Sequence, residues 1–145
     1  MMIFCCCMLG CMSAYNNRAI AAQQNPQDLV RSFYIWYIEE WKKDDIRYTP
    51  IKNDEMCKYV YPCTVKKLRI DMKQGKLGGD YFLRGNDFYL LEGLKSLAVH
   101  APISVSDSIV LVPVGFNERL FVVVFVQKTT EGWRIIKVED IFDRY

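Results

Sequence analysis

Four stretches in the last third of the chain, residues 97–102, 104–116, 118–128 and 133–142, are rich in valine, isoleucine and phenylalanine. Turn-forming residues separate them at Pro102, at Asn117 and at Thr130, Glu131 and Gly132. Branched and aromatic side chains suit a pleated surface, so this spacing predicts consecutive antiparallel strands. Residues 120–126 are apolar without interruption, which predicts a central strand covered on both faces. Pro113 cannot donate to a ladder and is expected at an edge or a bulge.

The residues before this region have a different period. Leu29, Val30, Phe33, Tyr34, Tyr37 and Trp41 recur at spacings of three and four, with Asn25 placed to cap, Pro26 to start and Asp28 to complement the dipole. A long amphipathic helix ending near Lys42 and Lys43 follows. Residues 44–55 are polar, contain Pro50 and read as a connecting loop. A second helix is predicted over residues 62–74, with Val65, Leu68 and Met72 inward and a stop at Gly75, Gly78 and Gly79. Its other face carries Lys66, Lys67, Arg69 and Lys73, continued by Lys76, and reads as solvated. Residues 80–88, an aromatic-acidic segment with a break at Gly85, suggest short helical turns. Helices first and a meander afterwards define an α+β fold, with helices packed on one face of a curved antiparallel sheet. A length of 145 residues suits one core.

The first twelve residues, MMIFCCCMLGCM, are apolar apart from Gly10 and hold four of the six cysteines. The run is too short to span a bilayer, which takes about 20 residues, but matches the apolar part of a secretory signal. Ala19, Ile20 and Ala21 supply a small-x-small cleavage pattern, so residues 1–22 read as a leader and 23–145 as one domain. Leu9, Gly10 and Cys11 also resemble a degenerate lipobox with Cys11 as the lipidated residue, although Met8 replaces the usual leucine and no basic residue precedes the run. An uncleaved apolar helix is the third reading. Three adjacent cysteines cannot all turn to one ion, so no metal is expected there. The body keeps Cys57 and Cys63, a candidate disulfide in an oxidising compartment, with two separate thiols as the alternative.

Nineteen basic against 17 acidic residues leave a net charge of +2, and removal of the leader takes away Arg18 and no acid. Such a chain has no field to hold nucleic acid. Contact with a membrane would come only through a lipid anchor.

Three patterns together resemble a bacterial family of small exported proteins and lipoproteins, a domain of unknown function with a cystatin-like, nuclear-transport-factor-2-like cone. They are Val30-Arg31-Ser32-Phe33-Tyr34-x-Trp36-Tyr37 in the first helix, Asp80-Tyr81-Phe82-Leu83 followed by Asn86-Asp87, and the closing Gly132-Trp133-Arg134-Ile135-x-Lys137-Val138. The resemblance implies a location in the cell envelope, in the periplasm or anchored by lipid, and brings no catalytic residues with it. It also implies a pocket between sheet and helices, and a homodimer through the sheet in some relatives.

Within such a cone, Trp36, Tyr37, Trp41 and Asp80 would line the mouth. His100 or Asp87 would serve as base, with Tyr81 orienting a carbonyl-like group. That constellation would suit a small cofactor-independent lyase or isomerase. Each member has a plainer role: His100 as a strand residue, Asp80 and Asp87 as turn caps, the aromatics as core. Phosphate loops, nucleophile elbows and paired metal-ligand spacings are not seen in the sequence. The favoured reading is therefore a binding or structural module of the envelope that holds a protein partner or small ligand and needs no cofactor.

Overall fold

The computed structural model describes residues 24–43, 49–84, 96–116 and 120–140. The leader, including Cys11, and Asp87 lie outside the described residues.

The first helix, α1, is Pro26–Trp41. The Asn25 side chain accepts from the Asp28 N–H, and Pro26 occupies the first turn, where its missing donor costs nothing. Leu29, Val30, Phe33, Tyr34, Tyr37 and Ile38 face inward and are buried. The expected loop after it contains two short 3-10 helices, Pro50–Lys52 and Asp54–Lys58. Asn53 drives the second, its side chain accepting from the Glu55 N–H while donating to the buried Glu40 of α1 at 2.9 Å. Helix α2 is Pro62–Lys73. It ends where glycine permits a left-handed residue: at Gly75 φ is 67°, and the N–H groups of Gly75 and Lys76 return to the carbonyls of Met72 and Asp71.

Arg69 departs from the solvated face expected of α2. It donates to the carbonyls of Ile51, Lys52 and Asn53 at 2.9–3.3 Å and to Asp54 Oδ1 at 2.9 Å. One side chain thus holds both 3-10 helices against α2.

The strands are β1 (Ala98–Val99), β2 (Ile103–Ser104), β3 (Ile109–Phe116), β4 (Leu120–Thr129) and β5 (Gly132–Asp140). All pairings among them are antiparallel, in the order β1-β3-β4-β5, with β2 beside β1 on the same flank of β3. Between β1 and β2, residues 100–102 face only Val112 and Pro113, which is a bulge. Pro113 therefore lies in an interior strand, and its missing donor points at the bulge of the neighbouring strand.

Both helices pack on one face of the sheet. Val112, Val114, Phe116, Val122, Val124, Val126, Ile135 and Val138 meet Phe33, Tyr34 and Tyr37 there, all fully buried. Phe33 is central, 4.8 Å from Phe82 and 5.3 Å from Tyr37, and Tyr34 meets Phe116 edge-on at 4.9 Å. These rings pack between α1 and the sheet. On β4 the covering is one-sided: Val122, Val124 and Val126 are buried, whereas Val123 and Phe125 are half-exposed. The uninterrupted apolar run signalled a strand with two apolar faces, of which the helices cover one.

Replacing Arg69 with Ala should destabilise the fold by about 1–3 kcal/mol, because the carbonyls of buried Ile51 and half-buried Asn53 lose their donor. Urea unfolding would measure it, and an unchanged midpoint would show that the 3-10 pair docks without the guanidinium.

Candidate functional site

Of the residues expected at a pocket mouth, Tyr37 and Trp41 meet at the Asp80 carboxylate. Asp80 Oδ1 accepts from the backbone N–H groups of Phe82 at 2.9 Å and Leu83 at 2.8 Å, closing a turn on itself. The turn ends at Arg84, held at φ 52° with its N–H on the Asp80 carbonyl. Oδ2 reaches the other way, accepting the Tyr37 hydroxyl at 2.7 Å and the Trp41 indole N–H at 3.0 Å. One turn further up α1, the Tyr34 hydroxyl donates to the Phe82 carbonyl at 3.0 Å. The three-and-four spacing of Tyr34, Tyr37 and Trp41 puts these donors on one stripe of the helix.

Burial lifts the Asp80 carboxyl above the usual range for an aspartate, and the hydrogen bonds from Tyr37, Leu83, Phe82 and Trp41 pull it partly back. Burial, followed by the negative charge of Asp80, raises the Tyr34 and Tyr37 hydroxyls well above 10.0, so both stay neutral donors. Both carboxylate oxygens are engaged by protein donors, an arrangement suited to holding chain segments together. Trp36 lies away from this group, its ring stacked on Tyr59 at 5.4 Å.

His100 and Tyr81 are placed apart. His100 follows β1 on one flank of the sheet, exposed, with its N–H on the Pro113 carbonyl at 3.0 Å. Tyr81 sits on the opposite flank: its hydroxyl accepts from the Val138 N–H of β5 at 3.3 Å, and the Arg84 guanidinium lies 5.1 Å from its ring centre. The sheet separates the two side chains, so no proton can pass between them directly. Among the described residues, no group of three His, Cys, Asp or Glu side chains is arranged to hold a metal ion.

Cys57 in the 3-10 helix Asp54–Lys58 and Cys63 in the first turn of α2 are both unbridged. They line one groove of about 420 Å³ together with Tyr61, Lys128, Glu131 and Arg134.

The two flanks of the sheet are finished differently, a feature that side-chain periodicity does not encode. Along β5, Ile135 exchanges hydrogen bonds with the backbone of Tyr59 and Tyr61 at 2.8 Å each. Thr64 donates to the Ile136 carbonyl at 3.0 Å, and Arg84 to the Val138 carbonyl at 2.8 Å, beside the Tyr81 contact already described. On the other flank, Gln27 of α1 donates to the Val99 carbonyl at 2.9 Å, and beyond it β2 continues outward. Val105 N–H binds the Ile109 carbonyl, making that pair a bonded one. By alternation Ser104, opposite Val110, turns its own N–H and carbonyl away from β3. Ile103 and Val105 are 56% and 59% exposed.

An α+β protein with an open sheet, one face under helices and, among the described residues, no element bonded to the outer edge of β2, is thus defined. It resembles a chain in the crystal structure of the type VI native effector-immunity complex Tae3-Tai3 from Ralstonia pickettii. Identity is 29% over 85% of this chain and all of that one, with a TM-score of 0.75. The selenomethionine form of that complex matches at 28% identity over 83% of this chain and all of the other, with a TM-score of 0.71. No family model matches the sequence, and neither does any curated protein.

Because the folded chain holds the Asp80 proton more tightly than the unfolded chain, this group favours folding below the usual carboxylate range. That advantage disappears as pH rises through the raised folded value. Urea titrations of the wild type and Asp80→Asn between about pH 3 and 7 should show the stability difference moving against the wild type as pH rises. A difference independent of pH would show that the buried carboxylate is ionised without penalty.

Proposed function

We propose that this chain is an immunity-type protein of the bacterial cell envelope, which binds a type VI effector and holds it in an inert complex. The observation that carries the reading is the match along the whole length of a chain from the Tae3-Tai3 complex, whose immunity member is Tai3. The internal arrangement supports the same class. Asp80 and the aromatic stripe of α1 are engaged in holding the turn, and His100 and Tyr81 stand on opposite flanks of the sheet. A chain built this way acts through its surface, by complementarity to a partner.

The apolar leader and its small-x-small pattern support export, with cleavage after Ala21 or Ala22 or lipidation at Cys11. No helix among the described residues is long and apolar enough to cross a membrane. In an oxidising compartment Cys57 and Cys63, unbridged here, are the pair from which a disulfide-forming oxidant would take two hydrogens.

Affinity capture of the tagged full chain from its own bacterium, followed by mass spectrometry, tests both parts. The expected result is a type VI effector in stoichiometric amount, and a chain shortened at residue 21 or 22 or carrying lipid on Cys11. Recovery of the chain without an effector overturns the binding role, and an intact, unmodified start at Met1 overturns export.

A further inference from the structure

The contrast between the two flanks of the sheet goes further than a generic binding role. At β5 the backbone groups of Ile135, Ile136 and Val138 that face outward are all occupied, by Tyr59, Tyr61, Thr64, Tyr81 and Arg84. At β1 the Val99 carbonyl is occupied by Gln27. At β2 no other element of the described residues bonds the outward N–H and carbonyl of Ser104, and the contacts of its hydroxyl and of Ser106 stay within the hairpin. Protein edges are commonly blunted by lysine, by proline or by a covering element. Residues 103–106 carry no lysine and no proline.

This edge is also continuous with apolar surface. Register aligns Ile103, Leu111 and Phe125 in one cross-strand row on the face away from the helices. Half-exposed Pro113 and Val123 form the next row. The row that starts at Ile103 ends at Lys137, whose ammonium lies 5.6 Å from the centre of the Phe125 ring and pairs with Glu139. Apolar surface thus runs from the open edge to a charged border at β5.

We infer that β2 and the adjoining outer face are the docking surface for the protein partner, which adds an extended segment antiparallel or parallel to β2 and lays apolar side chains over Leu111 and Phe125. The inference rests on the immunity-type reading for the nature of the partner. Edge pairing supplies main-chain hydrogen bonds, and the alternating Ile103 and Val105 supply side-chain contact. A second copy of this chain fits less well. Edge-to-edge pairing of two such short strands buries far less than the roughly 1,200 Å² of a stable interface, and it would leave the outer face of both copies bare. A different protein can cover edge and face together.

Ser104→Pro isolates the edge. It removes the outward N–H and the hydroxyl's 3.4 Å contact with the Ser106 carbonyl, and leaves the hydrogen bonds that pair β2 with β3. Val105→Lys tests the side-chain contact. Ile70→Lys, at an exposed apolar position on α2, serves as control. Each tagged full-length variant is titrated with the effector that co-purifies with the wild type, after urea unfolding has shown equal stability.

The expected result is a loss of affinity of roughly tenfold or more for Ser104→Pro and Val105→Lys, with Ile70→Lys unchanged. Wild-type affinity in both edge variants overturns the inference and leaves the immunity-type reading standing. A wild type that captures no effector removes both. A wild type that self-associates, with Ser104→Pro monomeric, makes the occupant a second copy and overturns the inference as stated.

Discussion

The Asp80 carboxylate joins the two halves of the molecule. Its first oxygen makes the turn over residues 80–84, and its second fixes that turn to Tyr37 and Trp41 of α1. The turn in turn presents Tyr81 and Arg84 to the outer backbone of β5. A buried carboxylate is tolerable here because four donors meet it, two of them backbone groups that would otherwise be unpaired in a tight turn. Removing the carboxyl oxygens would therefore loosen more than the turn. The cap on β5 depends on where that turn sits, and so does the contact between Phe82 and Phe33 at the centre of the core.

The consequence for the sheet is an asymmetry. Segments on the α2 side and the Asp80 turn together seal β5, whereas α1 reaches only the first part of the opposite flank, through Gln27. The bulge opposite Pro113 marks where that coverage stops, and β2 continues beyond it as an exposed hairpin. Among the described residues nothing covers one edge and one face of the sheet, a poor design for an isolated protein, since both invite association. It is a suitable design for one whose work is to engage a partner, which accords with the resemblance to a chain of an effector-immunity complex.

The helices and the last three strands were readable in the sequence because each carries its own period. Asn25 with Pro26 marks the start of α1, Gly75 the end of α2, and the turn at Thr130, Glu131 and Gly132 the break between β4 and β5. The 3-10 pair is not legible in the sequence because Arg69 and Glu40, sixteen residues after and thirteen before Asn53, hold it through contacts that no local pattern records. The role of Asp80 was half-legible: an aspartate before an aromatic pair suggests a turn, but its second oxygen bonds to residues some forty positions earlier. The apolar run of β4 predicts burial on both faces. In the fold, the second apolar face at Val123 and Phe125 is surface, a distinction between core and contact that hydrophobicity alone does not make.

Residue-resolved amide hydrogen exchange on the free full chain tests the asymmetry of the two edges most directly. The N–H groups of Ile135 and Val138, which face outward from β5 but are bonded to Tyr59 and Tyr81, should exchange slowly, at rates set by larger openings of the fold. The Ser104 N–H should exchange at close to the rate of an unprotected amide, while that of the adjacent Val105, bonded to Ile109, is slowed. Protection at Ser104 equal to that at Ile135 would mean that the β2 edge is already covered within the chain, and would contradict the account.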